Sequence, residues 1–303
     1  MRLRQIEERS MVLESILQPK DVVRHPVYLM VLTFVFVSLA VWESLSFGGG
    51  NTGLFFIALV AIPVIPIVLR LFASQEEEIE IDFEKRVLGS STLARYFPII
   101  ITLAAYFLSL ILSFTAWFIY LPPEQSGTLF ALQLQELKDI NAGVKALFGG
   151  YATYDFLGGA VNGSFLPAFE LIFFHNLQVL ALVIGFSVLY GSGAILILTW
   201  NASVIAAFLG SFAIDSFLKA PGEYALYKGI GYGLLGLLPH GTFELVSYLM
   251  AALAGGLLSS AVIRKAYARP EFALISHDVA KLTAWSILLL AIGALIESGG
   301  IAG

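Results

Sequence analysis

Pro239-His240-Gly241 is followed by Glu244, so an imidazole and a carboxylate stand four residues apart inside a long apolar run. On a helix that spacing puts both on one face, a turn apart. Proline suits the first turn of a helix because its missing N–H would be unpaired there anyway. The first amides of a helix also carry positive partial charge. A helix beginning near Pro239 would therefore let Glu244 pair with His240 or accept from those amides. Two other apolar runs carry polar residues: one holds Glu170 and then His175-Asn176, the other Trp200-Asn201. Three chemistries are open to this set. Asn176, Asn201, His240 and Glu244 can hydrogen-bond one another and fix helix packing. They can form an ion or ligand site at a helix break. Or His175, His240 and Glu244 can supply the three protein ligands of a hydrolytic metal site, although their spacing matches no H-E-x-x-H signature. Cys is absent, which excludes disulfide and thiol chemistry. No catalytic residue and no cofactor is assigned from these residues.

The elements that hold these side chains are dictated by composition. Apolar residues make up 58% of the 303-residue chain and charged residues 13%, against ~45–50% and ~25% in soluble domains. The charges gather in short islands. Between them lie apolar stretches of about 20 residues, the length that crosses a ~30 Å hydrocarbon core. Lipid offers the backbone no hydrogen-bond partner, so such stretches must be helical, and the ~10-residue alternating segments of a β-barrel are missing. The expectation is an all-α, polytopic transmembrane helical bundle of six or seven spans with at least one broken helix. The lipid bilayer is its first partner, and no basic patch points to nucleic acid. At membrane depth a polar side chain is expensive, which invites a functional reading of the set Glu170, His175, Asn176, Asn201, Pro239, His240, Gly241 and Glu244.

Four regions follow along the chain. Residues 1–25 form an N-terminal amphipathic segment. Residues 26–121 hold the first three spans, with Pro63 and Pro66 predicted to kink the second and a polar loop at 74–95, in which Ile79, Ile81 and Phe83 alternate with acids as in an extended segment. Residues 122–167 form an exterior helical cap. Residues 168–303 form a C-terminal bundle. Within it, the stretch from Ile230 to Ile263 is too long for one straight span, at ~1.5 Å per residue, and is predicted to break at Leu238-Pro239-His240-Gly241. With the N-terminus cytoplasmic and seven crossings of the cell membrane, only Lys138, Lys145, Lys219 and Lys228 of the 17 Lys and Arg residues fall outside, the bias expected of cytoplasmic loops. Small residues at Gly229, Gly231, Gly233 and Gly236, and again over Ala251–Gly256, allow close helix approach. They serve intrachain packing or a homodimer equally.

Three motifs carry a resemblance. Phe174-His175-Asn176, Trp200-Asn201-Ala202 and Leu237-Leu238-Pro239-His240-Gly241-Thr242-Phe243-Glu244-Leu245, followed by the Ala/Gly-rich Ala251–Gly256, resemble the stage II sporulation protein M family. The family is one of bacterial and archaeal integral membrane proteins. Val12-Leu13-Glu14-Ser15-Ile16-Leu17 before the first Pro-led span is similar to archaeal members. Ala202 departs from the Gly that often follows the Asn. The resemblance implies a non-enzymatic role: a scaffold that recruits other membrane or envelope proteins, as the bacterial namesake does for peptidoglycan-degrading partners during sporulation. A transporter or channel with a midplane polar site is the alternative.

Overall fold

A computed structural model of the chain describes residues 19–47, 52–84, 91–147, 165–222, 224–263, 265, 267 and 272–302. All regular structure among them is helical: α1 Pro19–Arg24, α2 Pro26–Phe47, α3 Thr52–Ala61, α4 Ile65–Glu84, α5 Thr92–Tyr120, α6 Pro123–Leu129, α7 Ala131–Leu147, α8 Phe165–Tyr190, α9 Ala194–Lys219, α10 Ala225–Ile263 and α11 Phe272–Ala302. Seven segments are long and apolar enough to cross a membrane: α2, α3 with the start of α4, α5, α8, α9, α10 and α11. The protein is an integral membrane bundle with the predicted all-α architecture. The amphipathic segment expected at residues 1–25 lies outside the described residues except for α1, and so does the glycine-rich part of the connection at 148–164.

The prolines do not act alike. The second span breaks at the turn Ile62–Val64 between α3 and α4, where Val64 N–H closes a short bond to Ala61 at 3.1 Å. Pro63 and Pro66 lack the donors that would carry the helix through. Pro239 was predicted to break α10, yet α10 runs unbroken over 39 residues. Its ring lies on an exposed side of the helix, and Thr242 Oγ1 donates to Leu238 O at 2.7 Å, adding a bond beside it. The amides after Pro239 are thereby used within the helix, so the row of free donors foreseen for Glu244 does not exist. The segment Ile79–Phe83, read as extended, is also helical, because α4 continues to Glu84.

α10 is the central span: 72% of its most apolar stretch is buried, against 17% for that of α8. It packs on α11, α9, α8, α4 and α5. Small residues make these approaches possible. A Cβ on Gly229 would stand 2.5 Å from Phe212 O of α9, and one on Gly255 would stand 3.0 Å from Ile184 O of α8. Gly231 has nothing within 4 Å, so only part of the glycine stripe serves intrachain packing.

Beyond α5, Leu121 is extended and Pro122-Pro123 turns the chain into α6. Phe130, at the joint of α6 and α7, is buried against Phe56, Phe114 and Phe118, with ring centroids 5.5, 6.3 and 5.1 Å away in edge-on geometry. This aromatic group draws α7 into the bundle. Gln133 of α7 is fully buried and donates to Ser203 Oγ of α9 at 3.0 Å. The described part of the connection between the third and fourth spans consists of α6 and α7, and its first turns pack against the spans.

Candidate functional site: a polar cavity among the spans

His240, Glu244 and Tyr248 recur every four residues on α10 and so share one face. That face turns toward α8, which carries Asn176. Asn176 Nδ2 donates to Glu244 Oε1 at 2.5 Å, and Tyr248 O–H donates to Asn176 Oδ1 at 3.1 Å. The asparagine amide thus links a carboxylate and a phenol across two helices and is engaged at both ends. Behind the site α11 comes close because residue 293 is glycine. A Cβ there would lie 3.1 Å from Glu244 Cγ and 3.3 Å from His240 O.

These residues line a cavity of about 730 Å³, within the range of sites that hold small organic molecules. Its walls are mainly aliphatic side chains of α5, α8, α9 and α10. Its polar lining includes Thr115, Asn201, Thr242, Glu297 and, from α7, Glu136 and Asp139. Among the described residues no Lys or Arg lines it. His240 faces it while only 8% exposed. Among the described residues no hydrogen bond joins His240 to another side chain.

A family profile of stage II sporulation protein M matches residues 101–299. The chain belongs to that family. No curated protein sequence and no solved structure matches it. The match runs from within α5 to the last turn of α11 and takes in every cavity-lining residue. In this member of the stage II sporulation protein M family, then, the cavity is a property of the matched region.

The residues singled out in the sequence separate into three groups. Asn176, His240, Gly241 and Glu244 meet at the cavity, with Asn201 across from them. The four-way network expected of Asn176, Asn201, His240 and Glu244 is smaller in fact: Asn201 Nδ2 bonds back to Ile197 O at 2.9 Å in its own helix, and among the described residues His240 makes no hydrogen bond to Glu244. His175 borders the cavity but is exposed, and Glu170 and Pro239 are exposed and do not line it. Among the described residues no group of three or more His, Asp or Glu side chains is placed to hold a metal ion. The trio His175, His240 and Glu244 does not converge, because consecutive positions on α8 point to different sides and His175 turns out where Asn176 turns in.

Sequence reasoning passed over Tyr248, Glu136, Asp139 and Glu297. Tyr248 was findable, since it continues the four-residue rhythm of His240 and Glu244. It also missed a second polar cluster. Asp278 of α11, buried, accepts from Thr92 Oγ1 at 2.7 Å and from Tyr96 O–H at 3.1 Å, and pairs with Arg95. This cluster ties α11 to the beginning of α5. It is not part of the cavity lining.

Proposed function

We propose that this protein is a non-enzymatic carrier of the cell membrane, with a cytoplasmic N-terminus, that moves a small solute through the cavity bordered by Asn176, His240 and Glu244. One observation carries the reading: at membrane depth the chain holds a cavity of about 730 Å³ that reaches a buried histidine and a half-buried carboxylate. A role confined to helix packing needs no such space. Intramembrane polar residues that face a cavity are the usual basis of solute and ion pathways.

The absence of Cys from the sequence makes the test direct. Asn201→Cys places a single thiol on the cavity wall. The variant is reconstituted in liposomes and exposed to a membrane-impermeant maleimide added outside or enclosed within. A carrier exposes its site alternately, so the thiol should react from both sides. Reaction from one side would reduce the cavity to a binding cleft, and reaction from neither would leave it a packing void. Either result rejects transport.

A second reading is the scaffold implied by the family resemblance, and α8 favours it. With Phe174 58%, Leu182 49% and Leu189 73% exposed, α8 leaves an apolar face that lipid or a partner's span would cover. Cross-linking from Leu182→Cys in native membranes tests it: a specific heteromeric adduct supports recruitment of a membrane or envelope protein, a symmetric adduct a homodimer, and lipid adducts alone reject the reading.

A further inference from the structure

Resting on the carrier reading, the ligand's chemical class can be argued from the cavity's own groups. Among the described residues, every ionisable side chain on the lining other than histidine and tyrosine is a carboxylic acid: Glu136, Asp139, Glu244 and Glu297. They are spread over three helices, from α7 across α10 to α11. Two of them, Glu136 and Asp139, are presented by the helix that Gln133 and Phe130 anchor into the bundle. They fall one helical turn apart, on the side that faces the cavity. Glu136 is half-buried and Asp139 exposed, whereas Glu244 is bonded to Asn176. Acids therefore stand both at an exposed rim and deep on α10.

An acidic group alone would indicate little. The second observation is His240, more than nine-tenths buried, facing the same space and without a hydrogen-bond partner among the described residues. Its ring nitrogens are not among the sealed, unpaired polar atoms of the bundle and so open onto the cavity, where a ligand carrying N–H donors would find an acceptor, since a neutral imidazole accepts at one nitrogen. Most of the remaining wall is apolar, with Thr115, Asn176, Asn201, Thr242 and Tyr248 as further polar groups, so a bare, strongly hydrated ion would find few groups to replace its water. An apolar body bearing a positive charge matches both parts: hydrocarbon against Ile111, Leu112 and Leu234, ammonium toward Glu244. Charges attract more strongly where water is excluded.

We propose that the cavity binds an organic cation, an amine on a compact apolar body, with Glu244 as its principal counter-charge and Glu136 and Asp139 drawing it in at the rim. The test uses the full chain in detergent and three probes of one shape: 1-adamantylamine, positively charged at neutral pH; 1-adamantanol, neutral; and adamantane-1-carboxylate, negative. Binding is followed by titration calorimetry against protein-free micelles. The amine should bind saturably and at least about tenfold more tightly than the alcohol, and the carboxylate should show no saturable binding. Glu244→Gln should bring the amine to within about threefold of the alcohol. Should that variant fail to fold, Glu136→Gln with Asp139→Asn, at the more exposed rim, should still lower the preference for the amine about threefold. If the alcohol or the carboxylate binds as tightly as the amine, or if neither set of substitutions alters the preference, the cationic assignment is wrong while the cavity stands as a binding site. If none of the three binds saturably, the binding cavity and the assignment fall together.

Discussion

Removing the Asn176 side chain tests whether the link between α8 and α10 is an interaction or a coincidence of position. In Asn176→Ala, Glu244 loses the donor at 2.5 Å and Tyr248 loses the acceptor at 3.1 Å. A hydrogen bond to a charged group contributes ~1.5–3 kcal/mol and a neutral one ~0.5–1.5. Hydrogen bonds between membrane helices measure lower, ~0.6 on average, so the lower ends of those ranges apply and the expected loss is about 2 kcal/mol. The assay is equilibrium unfolding in mixed micelles under increasing SDS, followed by tryptophan fluorescence, for which the chain supplies 4 Trp residues. A double-mutant cycle separates the contact from general loosening of the helices. Asn176→Ala and Glu244→Ala should couple by about 1.5 kcal/mol, because either change alone already breaks the same bond. Independent sites add to within ~0.5 kcal/mol. Additivity inside that margin would refute the account and leave Asn176 as a residue that merely lies near Glu244.

Three further outcomes are expected. Asp278→Ala should destabilise the fold by about 3–5 kcal/mol, because it breaks a buried ion pair with Arg95 and removes the acceptor of Thr92 and Tyr96, while Glu170→Ala, at an exposed site, should change it by less than ~0.5 kcal/mol; thermal unfolding in detergent compares the two. Gly255→Leu should lower stability by at least ~1–3 kcal/mol, since even a Cβ would press on Ile184 O and Ser187 of α8, whereas Gly231→Ala has open space and should be neutral or gain up to ~1 kcal/mol in helix propensity. Pro239→Ala should stabilise the protein, since α10 is already continuous there and the substitution restores a backbone donor; a fall in the unfolding midpoint would mean that the ring's bulk is itself needed.

The spans were legible because the bilayer imposes one length on every apolar run, and that constraint acts on each segment separately. The break at Pro63 was legible for a similar reason: two prolines three residues apart remove two donors from one stretch of ladder. Pro239 has no such companion, and a single missing bond is bridged when the helix is clamped by neighbours on both sides, as α10 is by α9 and α11. What the sequence concealed was pairing across helices. Asn176 and Glu244 could be named as residues out of place in lipid, but nothing in their spacing says that Asn176 meets Glu244 while Asn201 turns back to its own carbonyl. Asp278 and its partner Arg95 are 183 residues apart, a separation that no local pattern reveals. Gln133 belonged to a stretch polar enough to be read as an exterior helix, and only the Phe130 cluster, with rings from two other helices, shows why it goes inside.

The unbroken length of α10 has a mechanical consequence. Its 39 residues extend ~58 Å at ~1.5 Å each, nearly twice the ~30 Å hydrocarbon thickness. The excess must be taken up by lean or by protrusion, and the tyrosines around its first turns, Tyr224 63%, Tyr227 72% and Tyr232 50% exposed, are suited to the headgroup layer, where such rings settle. Hydrophobic mismatch is relieved by tilting at modest cost. A thinner or thicker bilayer would thus act first on this helix, swinging the row of His240, Glu244 and Tyr248 relative to Asn176, so that membrane thickness becomes a handle on the geometry of the cavity itself.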